Sequence, residues 1–394
     1  MATSIATSKE SFYAAEAGIE DVIYRLNSGI FVAPFQTLAI DDHIVTVTVA
    51  NEPGGRIVTA LGEAGDYLRK IEAHLALGTG ISFHYGIQAG AGGFVLENSS
   101  SVKGNIHSSG PIVGSGNSID GDVISAGSNG LIDDIHATGN AYAHTINNSV
   151  IDKDAYYATT ISGSLVSGML HPGSADQPTA DLPISDEQIN QWENDAQTGG
   201  IIPASSCTGG VYEVNSDVTM GPVKIECDLF IKGNDITLTI AGPIWVVGDI
   251  ETQLTPDLRI IASLGNQNVA LIADNPSDRA GSGIIKIGQS TEFYGSGSPN
   301  SFVFTISQNN SAEMGGSTNA IDIGQSAGGE GKAVAYASHG LIILGQSVDV
   351  KEATAYKIIL QNSANVTYDI GLPSTIFSSG PTGGFSVLTW REVE

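Results

Sequence analysis

Apolar positions recur at three- and four-residue spacing near the start of the chain, where Phe12, Ala15, Ile19, Val22, Ile23 and Leu26 form one stripe. That is the helical period, and it predicts an amphipathic α-helix over about residues 8–27, closed by Gly29. Beyond it the period drops to two. Residues 44–49, 56–61 and 67–77 alternate as strands do, with turns at Pro53-Gly54-Gly55 and Gly62-Glu63-Ala64-Gly65. In the last strand Arg69, Ile71, Ala73, Leu75 and Leu77 share one face, opposite Lys70, Glu72 and His74. These spans predict a small antiparallel sheet packed on the helix.

From Gly86 onward a repeat takes over: an apolar or small residue, any residue, Gly, Asn/Asp/Ser, apolar, any, small. Val102-Lys103-Gly104-Asn105-Ile106-His107-Ser108 matches Ile119-Asp120-Gly121-Asp122-Val123-Ile124-Ser125 and Ala137-Thr138-Gly139-Asn140-Ala141-Tyr142-Ala143, at offsets of 17 and 18 residues. A triangular β-solenoid needs about that many residues per turn, three short faces joined at Gly or Asn corners. Further copies begin at Ile151 and Ile161, the latter too soon for a full turn and so read as the next face of the same coil. Pro172, Pro178 and Pro183 then mark a linker, and Ser185-x-x-Gln188 is a capping box opening a short helix through Ile189 and Trp192. Strand signals resume from Val211 to Trp390. Within them Ile287-Gly288-Gln289-Ser290, Ile323-Gly324-Gln325-Ser326 and Leu344-Gly345-Gln346-Ser347 read as one stacked corner, with Leu360-Gln361-Asn362-Ser363 as a variant.

The expected fold class is mainly β: right-handed β-helix or β-solenoid repeats with an N-terminal helix and a small antiparallel sheet. The expected plan is a helix at 1–28, a small sheet at 29–85, a first solenoid at 86–171, a linker with a short helix at 172–204 and a second solenoid at 205–394.

Composition sharpens this. Forty-nine glycines with only 15% charged residues suit short strands and tight turns rather than helices. The net charge of −26 disfavours nucleic acid and anionic lipid, because both need Lys and Arg, and Lys103 and Lys153 are the only cations from Ala91 to Cys207. Cys207 and Cys227 are the only cysteines; in an exported protein they suggest one disulfide worth roughly 3 kcal/mol, against the alternative of two buried thiols.

The arrangement Ser11-x-x-Ala14-Ala15-Glu16-Ala17-Gly18-Ile19-Glu20, followed by Leu26, resembles the membrane-distal half of the N-terminal helix in type IV pilins, particularly minor pilins with a PilX-type N-terminus. In that family a cleaved leader and about 20 apolar residues precede this segment, enough to span a bilayer before assembly. Nothing of that kind precedes Thr3, so Met1-Ala2 reads as a start added to a trimmed chain, the alternative being a natural soluble start. The resemblance implies a cell-surface protein held in the membrane by that absent segment before assembly. Its helix stripe, Phe12, Ala15, Ile19, Val22, Ile23 and Leu26, would then pack within the subunit and against other pilin subunits.

If the first and fifth repeat positions face inward, strand alternation turns the others outward. Asn105, Asp122, Asn140 and Asp154 then form one outer column, and His107, Tyr142 and Tyr156 another, a candidate glycan- or protein-binding face in which sugar rings stack on Tyr. The competing reading is that such columns stabilise the corners. Calcium suits the pairs Asp120/Asp122, Asp133/Asp134 and Asp152/Asp154, but none has a calcium-loop spacing, so each reads as a solvated acidic corner and no cofactor is expected. Asp133-Asp134 with His339-Gly340 has a faint likeness to pectin hydrolases whose basic motif is missing here, so no enzyme is expected. The leading expectation is a minor-pilin-like surface protein with a structural or adhesive role. The alternatives are a secreted carbohydrate-active β-helix, a lyase or hydrolase, and a self-polymerising β-solenoid.

Overall fold

The computed structural model describes residues 2–27, 32–33, 35–40, 43–52, 55–77, 83, 85–325, 327–329, 332–368, 376–377 and 385–393. The chain is mainly β and divides into two units.

The first unit is helix α1 (Ala2–Asn27) on an antiparallel sheet of β1 (Phe35–Ile40), β2 (His43–Glu52), β3 (Gly55–Ala64), β4 (Tyr67–Leu77) and a C-terminal strand, Phe385–Val393, in that order. Three of the predicted stripe residues, Ala15, Ile19 and Val22, are buried against Val45, Val47, Val58, Ala60, Ile71, Ala73 and Leu75. Phe12 and Ile23 pack at the rim of that core, while the side chain of Leu26, like Gly29, lies outside the described residues.

The seat of the helix is made by small residues that the apolar period overlooked: Ser11 and Ala14 are buried too. A Cβ added at Gly18 would stand 2.6 Å from Val45 Cγ1, and one added at Gly62 of β3 would stand 2.1 Å from the Ser11 carbonyl oxygen. Helix and sheet backbones therefore approach closely there, an approach that only glycine permits.

Strand β1 was not expected, and the end of the chain corrects the expected plan. Phe385–Val393 does not belong to a second solenoid; it pairs antiparallel with β4, Phe385 opposite Leu77 and Trp390 opposite Ala73. Arg391 reaches Glu72 at 2.8 Å, and that guanidinium, outweighing the opposing effect of burial, holds the Glu72 carboxyl below its ordinary pKa. Everything from 78 to 384 is thus inserted between two neighbouring strands of one small sheet.

The second unit is a stack of short parallel strands in three rows, each coil of chain contributing one strand to each row. The first row runs Tyr212, Leu229, Ile250, Ile285, Ile321, Ile342, Ile358, Phe94, Ile112, Ile132, Ile146, Ile161, each paired with the next. The third row runs Ile244, Leu271, Thr305, Ala335, Ala353, Ile87, Ile106, Val123, Ala141, Ala155, Leu170. The second carries Val350, Val366, Val102, Ile119, Ala137, Ile151 and Val166 over its upper part. Most side chains at these rungs point inward into one core whose members run from Ile87 to Val366 in the sequence, with Tyr212, Ile161 and Val166 packed at its edge; Leu170, in the last coil, is 52% exposed.

The repeat positions expected to face inward do so in the copies that begin at Val102, Ile119, Ala137 and Ile151; in the copy that begins at Ile161, which belongs to the next face, Ile161 packs against the core but Leu165 is 72% exposed. The expected division into two solenoids is corrected: the coil of 352–367 pairs directly beneath the coil of 87–103. The chain enters the stack in its middle and coils outward to Pro172. It returns along the outside and coils back from Ile201 until it meets its own entry coil.

The return segment contains α2 (Asp186–Gly199), capped as the sequence implies: the Ser185 hydroxyl accepts from the Gln188 amide and the Gln188 side chain accepts from the Ser185 amide. Its buried face is Ile189, Trp192, Glu193 and Ala196. The strap leading into it is tied to the third row by Gly127 N–H donating to Gln177 O (2.9 Å), Gln88 Nε2 to Asp181 O (2.9 Å), and Tyr336 Oη meeting Ile184.

Candidate functional site

The outward columns flanking the third row were the candidate ligand face, and the structure brings their residues together. At the corner before each third-row strand, the Asx side chain reaches one coil onward. Asn105 Oδ1 accepts from the Asp122 amide (2.9 Å), Asp122 Oδ1 from the Asn140 amide (2.7 Å), Asn140 Oδ1 from the Asp154 amide (3.2 Å) and Asp154 Oδ1 from the Met169 amide (2.9 Å). The glycine before the Asx follows from this contact: a Cβ at Gly139 would lie 2.3 Å from Asp122 Oδ1, and one at Gly168 would lie 2.4 Å from Asp154 Oδ1. Asp228 makes the same contact at another corner, accepting from the Asp249 amide (2.9 Å) beneath Gly248. The column satisfies backbone donors that would otherwise be orphaned.

The aromatic column stands two residues along, on the same outward face. Tyr142 and Tyr156 stack with ring centroids 4.6 Å apart and 10° between planes, and Tyr156 stacks on His171 at 4.2 Å and 5°. Strand alternation places His171 here because Leu170, not Leu165, pairs with Ala155; the copy of the repeat counted from Ile161 hid it. His171 Nε2 lies 3.1 Å from Asp154 Oδ2, and the Met169 amide and this imidazole together hold the Asp154 carboxyl below its ordinary pKa. Burial, then the nearby Asp122 carboxylate, raises the Tyr142 phenol.

His107 does not join this surface. It is 4% exposed beneath the strap, where burial lowers its pKa against the opposing hydrogen bond to the Pro178 backbone, and its ring meets Tyr85. The rings of Tyr142, Tyr156 and His171 turn their faces to one another and their edges to solvent. A sugar needs an open ring face, and between Tyr142 and Tyr156 none is offered.

The acidic pairs are likewise engaged at corners: Asp120 accepts from Thr138, Asp133 from Asn148, and Asp152 meets His136. Among the described residues, no group of three or more His, Cys, Asp or Glu is placed to hold a metal ion. His339 stands between Glu313 and Asp186, with Nε2 3.1 Å from the Asp186 carboxylate. Ladder pairing separates its coil from that of Asp133 by four steps, about 19 Å, so the two halves of the hydrolase-like pattern do not meet.

Two other features qualify as functional surfaces. One is the outer side of α1, where Tyr13 and Tyr24 are 60% and 67% exposed opposite the buried face. The other is the disulfide that the two cysteines suggest in the sequence: Cys207 and Cys227 are bonded, with Cα atoms 6.6 Å apart. Among the described residues no helix is long and apolar enough to cross a membrane.

No known family model matches the sequence, and no curated protein matches it. Among solved structures, the competence-associated pilin ComZ from Thermus thermophilus aligns over 98% of each chain with 12% identity and a TM-score of 0.32, an overlap below that of a shared fold.

Proposed function

We propose that this chain is a display subunit of a type IV pilus-like surface filament: α1 and its sheet are the mount, and the parallel stack, read as a right-handed β-solenoid, is the head it carries. The observation that supports this is the connectivity. The whole stack is a single excursion between β4 and its sheet neighbour Phe385–Val393, so the helix-and-sheet unit keeps its own core whatever the head does. Helix α1 fastens one face to that sheet through Ala15, Gly18 and Ile19 and leaves Tyr13 and Tyr24 outward, where an amphipathic helix meets neighbouring helices in a bundle. The disulfide and the low cation content suit the oxidising cell exterior. The role is structural and display-related; between Tyr142 and Tyr156 no ring face is open for a sugar to stack on.

The test is photo-crosslinking from Tyr13 and Tyr24, each replaced by a photoreactive phenylalanine analogue, in cells that make the protein. The reading expects adducts with the helices of other filament subunits in the sheared surface fraction. Adducts absent at both positions, with the protein recovered only as a free species in the medium, would sink it.

A further inference from the structure

We propose that the free end of the stack, its last coil at 160–172, is a self-association surface that joins two copies of this chain end to end in a closed two-fold pair. Each strand of this coil pairs on one side only: Ile161 with Ile146, Val166 with Ile151 and Leu170 with Ala155. Among the described residues no strand occupies the other side, so a row of backbone donors and acceptors faces outward. Such edges are usually blunted by Lys, other charges or a covering loop. Here Leu165, Met169 and Leu170 are 72%, 65% and 52% exposed, and the strap turns back down the third row, where Ser174 N–H meets Tyr157 O.

Charge identifies the occupant. The chain carries −26 overall, yet no Asp, Glu, Lys or Arg lies between Asp154 and Asp176. Two copies of so acidic a protein repel wherever their ordinary surfaces meet; at this coil, apolar side chains and neutral edges meet with no like charges in between. A basic partner would find nothing here to pair with.

The pair is closed because the two ends of the stack differ. At the far end the loop 203–210 is pinned to the next coil by the Cys207–Cys227 disulfide and packs Cys207 on the core. Strands at that end, Ile201–Ile202 among them, also pair on one side only among the described residues, but they stand beside exposed Glu213 and Asp217, so the uncharged free end of a third copy finds its match only in another free end and like-to-like contact stops at two. This inference does not depend on the filament reading.

Sedimentation velocity of the whole chain tests it. The expected result is a monomer–dimer equilibrium that shifts toward dimer as salt is raised, because added ions screen the mutual repulsion. Leu165→Asp with Met169→Asp should weaken association by about 100-fold or more. Met314→Asp, at an equally exposed methionine away from this coil, should leave it unchanged. In the unaltered protein, raising concentration should slow amide exchange within 161–171 and at no other coil. A monomer at every concentration, a dimer that survives the double substitution, oligomers that grow beyond two, or protection confined to another coil would each overturn the proposal.

Discussion

At the residue scale, the stack is paid for in unusual backbone at its corners. Ser290, Ser347 and Ser363 all adopt left-handed φ, at 60°, 61° and 61°, as the third residue of turns closed by Thr291, Val348 and Ala364 amides. Gly-Gln-Ser at 288–290 and 345–347 is therefore a stacked corner, as its repetition implies, and Ser stands there where Gly is ordinarily favoured; Ser326 of the copy between them lies outside the described residues. Replacing exposed Ser347 by Gly relieves the Cβ–carbonyl crowding but loosens the unfolded chain. The expected net gain is about 0.5 to 1 kcal/mol, read as a higher melting temperature; an unchanged or lower one would refute this account of the corner. These corners were legible because a turn is local chemistry. Glu97-Asn98-Ser99-Ser100 forms the next corner in the stack, with Ser99 at φ 63°; it shares only the serine with Gly-Gln-Ser, though Leu96, Asn98 and Ser99 repeat the variant at Leu360, Asn362 and Ser363. The Asx column was legible as a column, and corner stabilisation as one of its two readings; that Asp122 reaches the Asn140 amide depends on the height of one coil, which no single repeat records.

At the element scale, α2 is held by groups whose protonation matters. Glu193, 5% exposed, lies beside Asp274, which is fully buried and gripped by Arg279 Nε and Nη2 at 2.8 and 2.7 Å. Burial first, and then the Asp274 charge, pushes the Glu193 carboxyl from 4.5 up to about 8. The folded state therefore holds a proton that the unfolded chain releases above 4.5. The docking of α2 is at full strength below that value, weakens as pH rises toward about 8 by about 1.4 kcal/mol per pH unit at most, and is constant beyond. His339 acts in the same sense: burial opposes its protonation, but Glu313 and Asp186 outweigh this and raise its pKa, so the ion pair holding the start of α2 also fades with rising pH. Glu193→Gln should flatten, without abolishing, the fall in melting temperature between about pH 5 and pH 8; an unchanged slope would remove Glu193 from the account. The capping box announced this helix in the sequence. What the helix lies on was not announced, because its buried face meets strands Val223–Ile225 and Ile244–Val246 and the Asp274 carboxylate, which come from later coils of the chain.

At the scale of the whole molecule, the decisive contact is the one where the chain meets itself. Local periodicity revealed coils on either side of the linker but could not reveal their junction: Ile358 on Phe94, Ala353 on Ile87, and Ser101 Oγ donating to Asn365 Oδ1, partners 264 residues apart in the chain. Nearest-neighbour coupling alone would let a long stack melt from its ends or split at a weak coil. Here the strap lashes coils on both sides of the junction, through His144 to Asp176 and Gln88 to Asp181 on one side and Tyr336 to Ile184 on the other. The stack should therefore unfold as one body. Phe94, fully buried at the junction, is the place to test this: Phe94→Ala should cost roughly 3 to 5 kcal/mol. Trp245, in a coil remote from Phe94, should lose its native fluorescence at the same lowered temperature at which strand circular dichroism is lost. Were the Trp245 transition to keep its original midpoint while only the coils of 87–172 melted early, the junction would be a contact between two independent stacks, and the continuous first row from Tyr212 to Ile161 would have no energetic meaning.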